Sequence, residues 1–119
     1  MANPFVHLEL NTPDTAKTKE FYGKLFGWTF QDNDMGGGMV YSMFKTDGGP
    51  GGGIYTHPGA PNQWLAYVGV DDIHAATAKA RSLGAKVEVE AREIPHTGWF
   101  TVLTDPTGAT IALWQPMSK

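Results

Sequence analysis

Apolar and polar residues alternate along residues 5–10 near the start of the chain. This period of two predicts a β-strand, because successive side chains of a strand point to opposite faces. One face is aliphatic, through Val6, Leu8 and Leu10, and is suited to packing beneath a helix. The other face carries the polar pair His7 and Glu9 and is therefore the one that can support chemistry.

A helix is predicted to follow this strand. Thr12 stands at the expected N-cap, Pro13 at the first helical position, and Asp14 near the positive end of the helix dipole. Gly23 or Gly27 is expected to end the helix. Its buried stripe is expected to come from the apolar residues of the segment, Ala16, Phe21, Tyr22, Leu25 and Phe26.

Three further strands are predicted after the helix, separated by glycine-rich turns. They begin at Trp28 and cover about 39–45 and 52–57. The turns are expected at 36–38 and 47–50. The glycine run at 48–53 lacks the lysine and the following helix of a phosphate-binding loop, so it indicates a turn into a strand with close backbone approach.

The same order of elements then occurs a second time. A strand at 64–70 leads into a helix capped by Asp71, and strands follow at 86–91, 99–104 and 109–115. The apolar stripe of this helix is expected from Ile73, Ala76, Ala80 and Leu83. The turn at 105–108, Asp-Pro-Thr-Gly, is interpreted as structural.

An internal repeat of this kind sets the architecture. We expect an α+β fold of two tandem βαβββ modules, at about 3–57 and 63–116, within a single domain covering 1–119. One helix covers only one face of each module's sheet. The curved mixed sheets are therefore expected to surround a cavity shared by the two modules.

Composition excludes several classes of function. The net charge of −3 does not favour nucleic-acid binding, and no apolar run is long enough to span a membrane. The chain contains no cysteine, which excludes disulfides and thiolate chemistry. Together with an N-terminus unlike a signal peptide, this predicts a cytoplasmic protein.

Three motifs resemble the vicinal oxygen chelate superfamily, which includes glyoxalase I, bleomycin-resistance proteins, fosfomycin-resistance enzymes and extradiol dioxygenases. The first joins His7 to Asp14 and the segment 21–28, Phe-Tyr-Gly-Lys-Leu-Phe-Gly-Trp. The second is Val-Asp-Asp-Ile at 70–73, and the third is the Asp-Pro-Thr-Gly turn. The resemblance covers nearly the whole chain. It implies the repeated fold more strongly than any one activity, because the superfamily supports many chemistries.

The resemblance also implies where a metal centre belongs. His7 occupies the position of the family's first ligand, whereas the ligand positions of the second module fall on Leu65 and Ala112. The end of the first module, 52–54, offers no carboxylate. A divalent ion needs three or four N or O donors. We therefore expect no metal cofactor, with a divalent metal as the less favoured alternative.

His7 and Glu9 are the candidate catalytic residues. They fit a proton-abstraction site, in which an imidazole works beside a carboxylate. They equally fit a structural pair within the sheet, and pairing with Glu9 is expected to raise the pKa of His7.

A ligand pocket is expected on the inward faces of the strands. Its apolar and aromatic wall is assigned to Tyr41, Met43, Leu65, Tyr67, Trp99, Ala112 and Trp114. Such a wall suits a flat or amphipathic small molecule. The alternatives are ordinary core packing and a dimer interface.

Two functions follow from these expectations. The favoured one is a glyoxalase/bleomycin-resistance-like protein that binds a small organic molecule without metal. The alternative is a lyase, isomerase or dioxygenase that acts on a small oxygenated substrate, with His7 as metal ligand or general base. A homodimer is expected in either case, and the cavity belongs to one chain or is shared between two.

Overall fold

A computed structural model describes residues 3–36 and 38–117. Gly37, the middle of the predicted turn at 36–38, lies outside the described residues, as do the first two residues used in the signal-peptide argument. Over these described residues the chain forms two α-helices and eight β-strands. In chain order they are β1 Phe5–Asn11, α1 Thr15–Phe26, β2 Phe30–Asp34, β3 Val40–Phe44, β4 Gly52–Tyr55, β5 Gln63–Gly69, α2 Ile73–Ser82, β6 Lys86–Ile94, β7 Gly98–Thr104 and β8 Thr110–Pro116.

The helix starts differ from those predicted. Asp14 rather than Thr12 is the N-cap of α1, where its carboxylate accepts a hydrogen bond from the Lys17 amide at 3.0 Å. Asp72 rather than Asp71 caps α2 and accepts from Ala75 at 3.1 Å. In each case an Asp side chain satisfies an amide of the first turn, which lacks a partner within the helix. The predicted stop at Gly27 is confirmed, since this residue has a φ of 78° and ends α1.

The first compact unit contains His7–Trp64. Its strands lie in the order β2-β3-β4-β1, with β1 parallel to β4 and the other neighbours antiparallel. A buried cluster of Leu10, Phe44 and Ile54 packs against the partly buried Tyr22, Trp28 and Phe30. Because Tyr22 belongs to α1, this helix covers the aliphatic face of β1, as the alternation along that strand predicts.

Helix α1 contacts the sheet through a mostly polar stripe. Lys19 reaches Asp32 on β2 at 3.1 Å, and the Thr18 hydroxyl lies 2.9 Å from that of Thr12. Phe21 and Leu25 are 58% and 57% exposed. The expectation that the apolar residues of α1 form one buried stripe is therefore wrong, apart from Tyr22.

The second compact unit contains the described parts of Met1–Val6 and Leu65–Lys119. Its strands lie in the order β5-β8-β7-β6, with β5 parallel to β8. Helix α2 buries Ile73 and Thr77, and the Thr77 hydroxyl lies 2.8 Å from that of Thr101 on β7. Leu83, expected in the buried stripe, is 68% exposed because it stands beyond the last turn of α2.

The predicted α+β class and the two βαβββ modules are confirmed, since each unit combines one helix with four strands in that order. The boundaries of a single domain at 1–119 stay a prediction, as does the shared cavity. No helix in the described part of the chain has the length and apolarity needed to cross a membrane.

Candidate functional site

The candidate site lies on the face of the first unit's sheet that α1 does not cover, which we call the open face. His7 and Glu9 point away from the face that buries Leu10 beneath α1, because side chains alternate along β1. The register aligns Glu9 with Gly53 on β4, and Gly53 with Met43 on β3. Three neighbouring strands therefore present side chains to one surface.

Tyr41 connects the two candidate catalytic residues. Its hydroxyl lies 2.7 Å from His7 Nε2 and donates a hydrogen bond to Glu9 Oε2 at 2.8 Å. The rings of His7 and Tyr41 are nearly parallel, with an angle of 11° between their planes. All three residues are half-buried. The sequence pairs His7 with Glu9 through their spacing, whereas the structure links them through a phenol from another strand.

Gly53 makes this link possible. Tyr41 stands on β3 and its two partners on β1, with β4 between them. A Cβ atom at Gly53 would overlap the ring of Tyr41. The absence of a side chain thus lets the Tyr41 ring lie across β4, which confirms the close backbone approach predicted for the glycine run.

Tyr55 extends the network on the same face of β4. Burial raises the pKa of Tyr55 to about 12, with further contributions from the charge of Glu9 and a hydrogen bond to it. The ring centroids of Tyr55 and Tyr41 are 5.5 Å apart. Glu9 is thus a carboxylate that accepts from two phenols.

The pKa of His7 is lowered by burial. The expected increase through pairing with Glu9 is therefore wrong. Removal of the imidazole from water disfavours its charged form, and the Tyr41 hydroxyl 2.7 Å from Nε2 is a neutral partner. The arrangement favours a neutral imidazole at neutral pH.

The other predicted pocket residues lie on both units. Met43, 37% exposed, shares the face of Tyr41 in the first unit. In the second unit the strand register places four of them on one face, namely Leu65, Tyr67, Ala112 and Trp114. Tyr67 and Ala112 are buried, whereas Leu65 and Trp114 are half-buried.

Trp99 does not join that face. It pairs with Gln115, whose side chain accepts a hydrogen bond from the first amide of α2 at 2.7 Å, so Trp99 belongs to the face covered by the helix. The expectation that Trp99 and Trp114 line one surface is wrong. Strand register decides this point, because a shift of one residue moves a side chain to the opposite face.

The residues on the open face do not fit a metal centre. No group of three His, Cys, Asp or Glu side chains converges anywhere in residues 3–36 and 38–117. Around His7, the Tyr41 hydroxyl takes the direction of Nε2 along which a metal would bind. Glu9 adds one carboxylate to the imidazole of His7, and two ligands fall short of the usual three or four.

A shallow groove of about 530 Å³ lies elsewhere, along the outer surface of α1. It is lined by Lys17, Glu20, Phe21, Lys24 and Leu25. Lys24 and Glu20 form an exposed i,i+4 ion pair there. The groove has no acid–base network comparable to that of His7, so the open face of the first unit remains the candidate site.

Sequence reasoning missed two residues of the site, Tyr55 and Gly53. Tyr55 lies two residues beyond Gly53 on a predicted strand, so the strand period places both on one face. That signal was available in the sequence. The role of Gly53 as the passage for Tyr41 needs the pairing of β3, β4 and β1, which no local pattern reveals.

The fold and this site together define a class of protein: paired βαβββ modules with a polar and aromatic open sheet face. The family model described as Glyoxalase/Bleomycin resistance protein/Dioxygenase superfamily matches residues 5–113. The chain belongs to this superfamily, as the three sequence motifs predict.

Curated relatives support the same assignment. A Mycobacterium tuberculosis protein named as a glyoxylase candidate, CFP32, is 40% identical over 114 residues, which are 91% of this chain and 44% of that protein. The anthracycline biosynthesis protein DnrV of Streptomyces peucetius is 29% identical over 126 residues, covering 90% of this chain and 45% of DnrV. The chain thus spans less than half the length of these relatives.

Solved structures share the fold at low sequence identity. A hypothetical protein from Bacillus halodurans superposes with a TM-score of 0.79 at 11% identity, over 100% of this chain and 98% of the other. Streptomyces coelicolor methylmalonyl-CoA epimerase, in complex with 2-nitronate-propionyl-CoA, gives 0.71 at 19% identity, over 98% and 96%. These similarities establish the fold alone.

Proposed function

We propose that this protein binds a small organic molecule on the open face of the first unit, without a metal ion. The observation that carries the proposal is the half-buried network of His7, Tyr41 and Glu9. It combines hydrogen-bonding groups of fixed orientation with the aromatic surfaces of Tyr41 and Tyr55. Small-molecule sites commonly combine a few placed polar groups with apolar and aromatic walls.

The metal-free part of the proposal rests on the donor set. His7 and Glu9 are joined through a phenol, and no third acidic or imidazole side chain accompanies them among the described residues. Elemental analysis after incubation with Zn²⁺, Ni²⁺, Mn²⁺ and Fe²⁺ separately is expected to find less than stoichiometric metal. One equivalent retained through gel filtration by the wild type, but lost in His7→Gln, would refute this part.

The relatives are compatible with a ligand that is flat or amphipathic. DnrV is named for anthracycline biosynthesis, and the epimerase structure holds a CoA ester. We propose for this chain only the broader class, a small organic molecule with apolar surface and at least one polar group. The second-unit residues Leu65, Tyr67, Ala112 and Trp114 stay predicted ligand contacts.

A thermal-shift screen with aromatic and amphipathic small molecules tests binding directly. A ligand is expected to raise the melting temperature of the wild type, because binding to the folded state alone stabilises it. The rise should shrink in Tyr41→Phe and persist in the matched control Tyr22→Phe, since Tyr22 packs from α1 against the other face of the sheet. Equal shifts in both variants would place binding away from this site.

The second candidate function is catalytic: a lyase, isomerase or dioxygenase for a small oxygenated substrate, with His7 as general base or metal ligand. The observation that favours a base is the half-buried imidazole connected to a carboxylate through one phenol. A general base must be unprotonated at the operating pH to accept a proton. Once a substrate is found by binding, His7→Ala should lower kcat at least 100-fold, and unchanged turnover would exclude this role.

Homodimer formation and a cytoplasmic location belong to the same proposal and stay predictions. The dimer bears on the site, because the family resemblance allows a cavity shared between two chains.

A further inference from the structure

We infer that the exposed face of α1 binds the same face of a second copy of this chain, with the two helices antiparallel about a two-fold axis near residues 22–23. This surface, which we call the α1 face, consists of the residues that line the groove on the helix: Lys17, Glu20, Phe21, Lys24 and Leu25. The inference assigns a surface to the predicted homodimer and rests on that prediction. It does not depend on the ligand site of the open face.

The α1 face carries an apolar patch. Phe21 and Leu25, four residues apart and therefore neighbours on the helix, are 58% and 57% exposed. Phe26 and Trp64, 56% and 38% exposed, continue the apolar surface. The rings of Phe21, Phe26 and Trp64 each contact the ring of Tyr22, with centroids 5.0, 6.0 and 5.6 Å away. A contiguous exposed patch of this kind marks an interaction surface, whereas single exposed apolar residues do not.

The area of this patch suits the apolar centre of a dimer interface. With about 200 Å² for each large side chain, the exposed fractions of the four residues amount to roughly 400 Å². Each partner of a specific interface buries about 800 Å². The patch therefore supplies about half of that area, and the charged side chains of the α1 face supply the polar rim that usually surrounds such a centre.

The spacing of residues on α1 favours a second copy as the partner. Glu20 and Lys24 are four residues apart, and so are Phe21 and Leu25. In an antiparallel pair about a two-fold axis, a residue before the axis meets the residue equally far beyond it on the partner. An axis near residues 22–23 places Glu20 against the partner's Lys24. The same axis places Phe21 against the partner's Leu25.

The charged and apolar contacts can form together. With 3.6 residues per turn, Glu20 and Lys24 lie on one side of the α1 face, and Phe21 and Leu25 lie on the other. A two-fold axis brings like sides together, so each contact occurs twice. Antiparallel helix dipoles also attract. Within one chain Lys24 already pairs with Glu20 at 2.9 Å, but both side chains are exposed, so little stability is lost if the pair is exchanged for one between copies.

The apolar contact is tested by sedimentation over a range of protein concentrations. Leu25→Ser is expected to weaken the dimer about 10-fold or more in Kd, because the leucine is lost from the interface twice. Leu83→Ser is the matched control, since Leu83 is 68% exposed beyond the last turn of α2. The control should leave the Kd of the dimer unchanged. Circular dichroism checks that both variants are folded.

The symmetry is tested by charge reversal. Glu20→Lys and Lys24→Glu each create two like-charge contacts across the axis and should each weaken the dimer about 5- to 10-fold. In an equimolar mixture of the two variants every such contact joins opposite charges, so a heterodimer should form with about the affinity of the wild type. Lys79→Glu, an exposed position on α2, changes the net charge as much as Lys24→Glu and should have no effect.

The outcomes separate this inference from the homodimer itself. A dimer whose Kd is unchanged in Leu25→Ser and in both charge variants would overturn the inference and leave the homodimer standing. Weaker dimers in the single variants without recovery in the mixture would also overturn it, because the antiparallel arrangement requires that recovery. A wild type that is monomeric at micromolar concentration would refute both the α1 interface and the homodimer, without bearing on a ligand found by thermal shift.

Discussion

At the residue scale, the site depends on a carboxylate that two phenols share. Glu9 accepts from Tyr41 and contributes, after burial, to the raised pKa of Tyr55. The charge of Glu9 therefore orients one tyrosine and suppresses ionisation of the other. Each of these residues stands on a different strand, so the network reports directly on the pairing of β1, β3 and β4.

Tyr55 gives a pH prediction. Its pKa in the folded protein is raised to about 12, above the value of about 10 for an exposed tyrosine. The stability that Tyr55 contributes is thus complete below about pH 10 and is lost as pH rises toward 12. Urea unfolding between pH 9 and about pH 12 should show a smaller loss of stability in Tyr55→Phe than in the wild type. Parallel losses in both proteins would contradict the shift.

Asp105 gives a prediction in acid. Its carboxylate accepts from the hydroxyl and amide of Thr107, at 2.7 and 2.8 Å, and from the Ala109 amide at 3.1 Å. The Thr107 hydroxyl, followed by the two backbone amides, lowers the pKa of Asp105. The stabilisation is present above the ordinary aspartate range, near pH 4, and disappears as pH falls through the lowered value.

Asp105→Asn should therefore lower the melting temperature at pH 7, and the difference from the wild type should narrow as pH falls below about 4. Asp47→Asn, in another exposed turn, serves as the control and should change little. A difference between Asp105→Asn and the wild type that stays constant with pH would assign the effect to shape rather than charge. The turn at 105–108 has the structural role that its composition predicts.

At the element scale, the two helix starts show how well local sequence specifies local structure. The helices occur where Thr-Pro-Asp and Asp-Asp follow a strand, but the capping side chain is the last acidic residue in each case. The choice depends on which carboxylate reaches the first-turn amides at Lys17 and Ala75. Backbone geometry decides which side chain reaches a given amide. The sequence therefore predicts the capping residue only to within a residue or two.

Removal of either cap is expected to be measurable. Asp14→Ala and Asp72→Ala should each reduce the free energy of unfolding by about 1 kcal/mol, while Asp14→Asn and Asp72→Asn should retain most of the stability. Urea denaturation of the four variants provides the comparison. An Asp-to-Asn loss as large as the Asp-to-Ala loss would show that charge, rather than the capping hydrogen bond, is responsible.

The orientation of α1 gives a sharper test. Phe21 is 58% exposed, whereas Tyr22 packs on the core of Leu10, Phe44 and Ile54. In dilute protein Phe21→Ser should change stability by roughly 0.5 kcal/mol or less, as for other surface substitutions. Tyr22→Ala should cost several kcal/mol, on the order of 3 to 5 for a large aromatic. A large loss of stability in Phe21→Ser would instead support the buried apolar stripe that the sequence predicts for α1.

At the scale of the whole molecule, the sequence predicts those features that short, local patterns specify. Strands with period two, glycine and proline turns, and the order of elements determine both βαβββ modules, and the motifs around Asp14 and Asp105 identify the superfamily. The face of α1 is not predictable in the same way, because apolar residues occur around much of its circumference. The prediction for Trp99 is wrong because the sheet face on which it lies depends on its pairing with Gln115.

The site likewise combines features that a local pattern predicts with features that depend on strand pairing. His7 and Glu9 are recognisable from alternation along a single strand, but Tyr41 joins them only through pairing across β4 at Gly53. Contacts between residues far apart in the chain depend on the register of strand pairing, and no local sequence pattern specifies that register. The chemistry of the first unit thus emerges from three strands, although its first clue is a spacing of two residues.

Association is the last prediction that belongs to this scale. The matched region covers 44% and 45% of the length of the two curated relatives. Each relative is therefore more than twice as long as the region that it shares with this chain. A homodimer would bring together a comparable amount of protein from two copies. Light scattering after gel filtration at micromolar concentration should then give about twice the mass of 12.9 kDa. The melting temperature should also rise with concentration, because dimerisation stabilises by mass action. A mass of one chain, with a melting temperature independent of concentration, would refute the dimer and require a ligand site built from one chain.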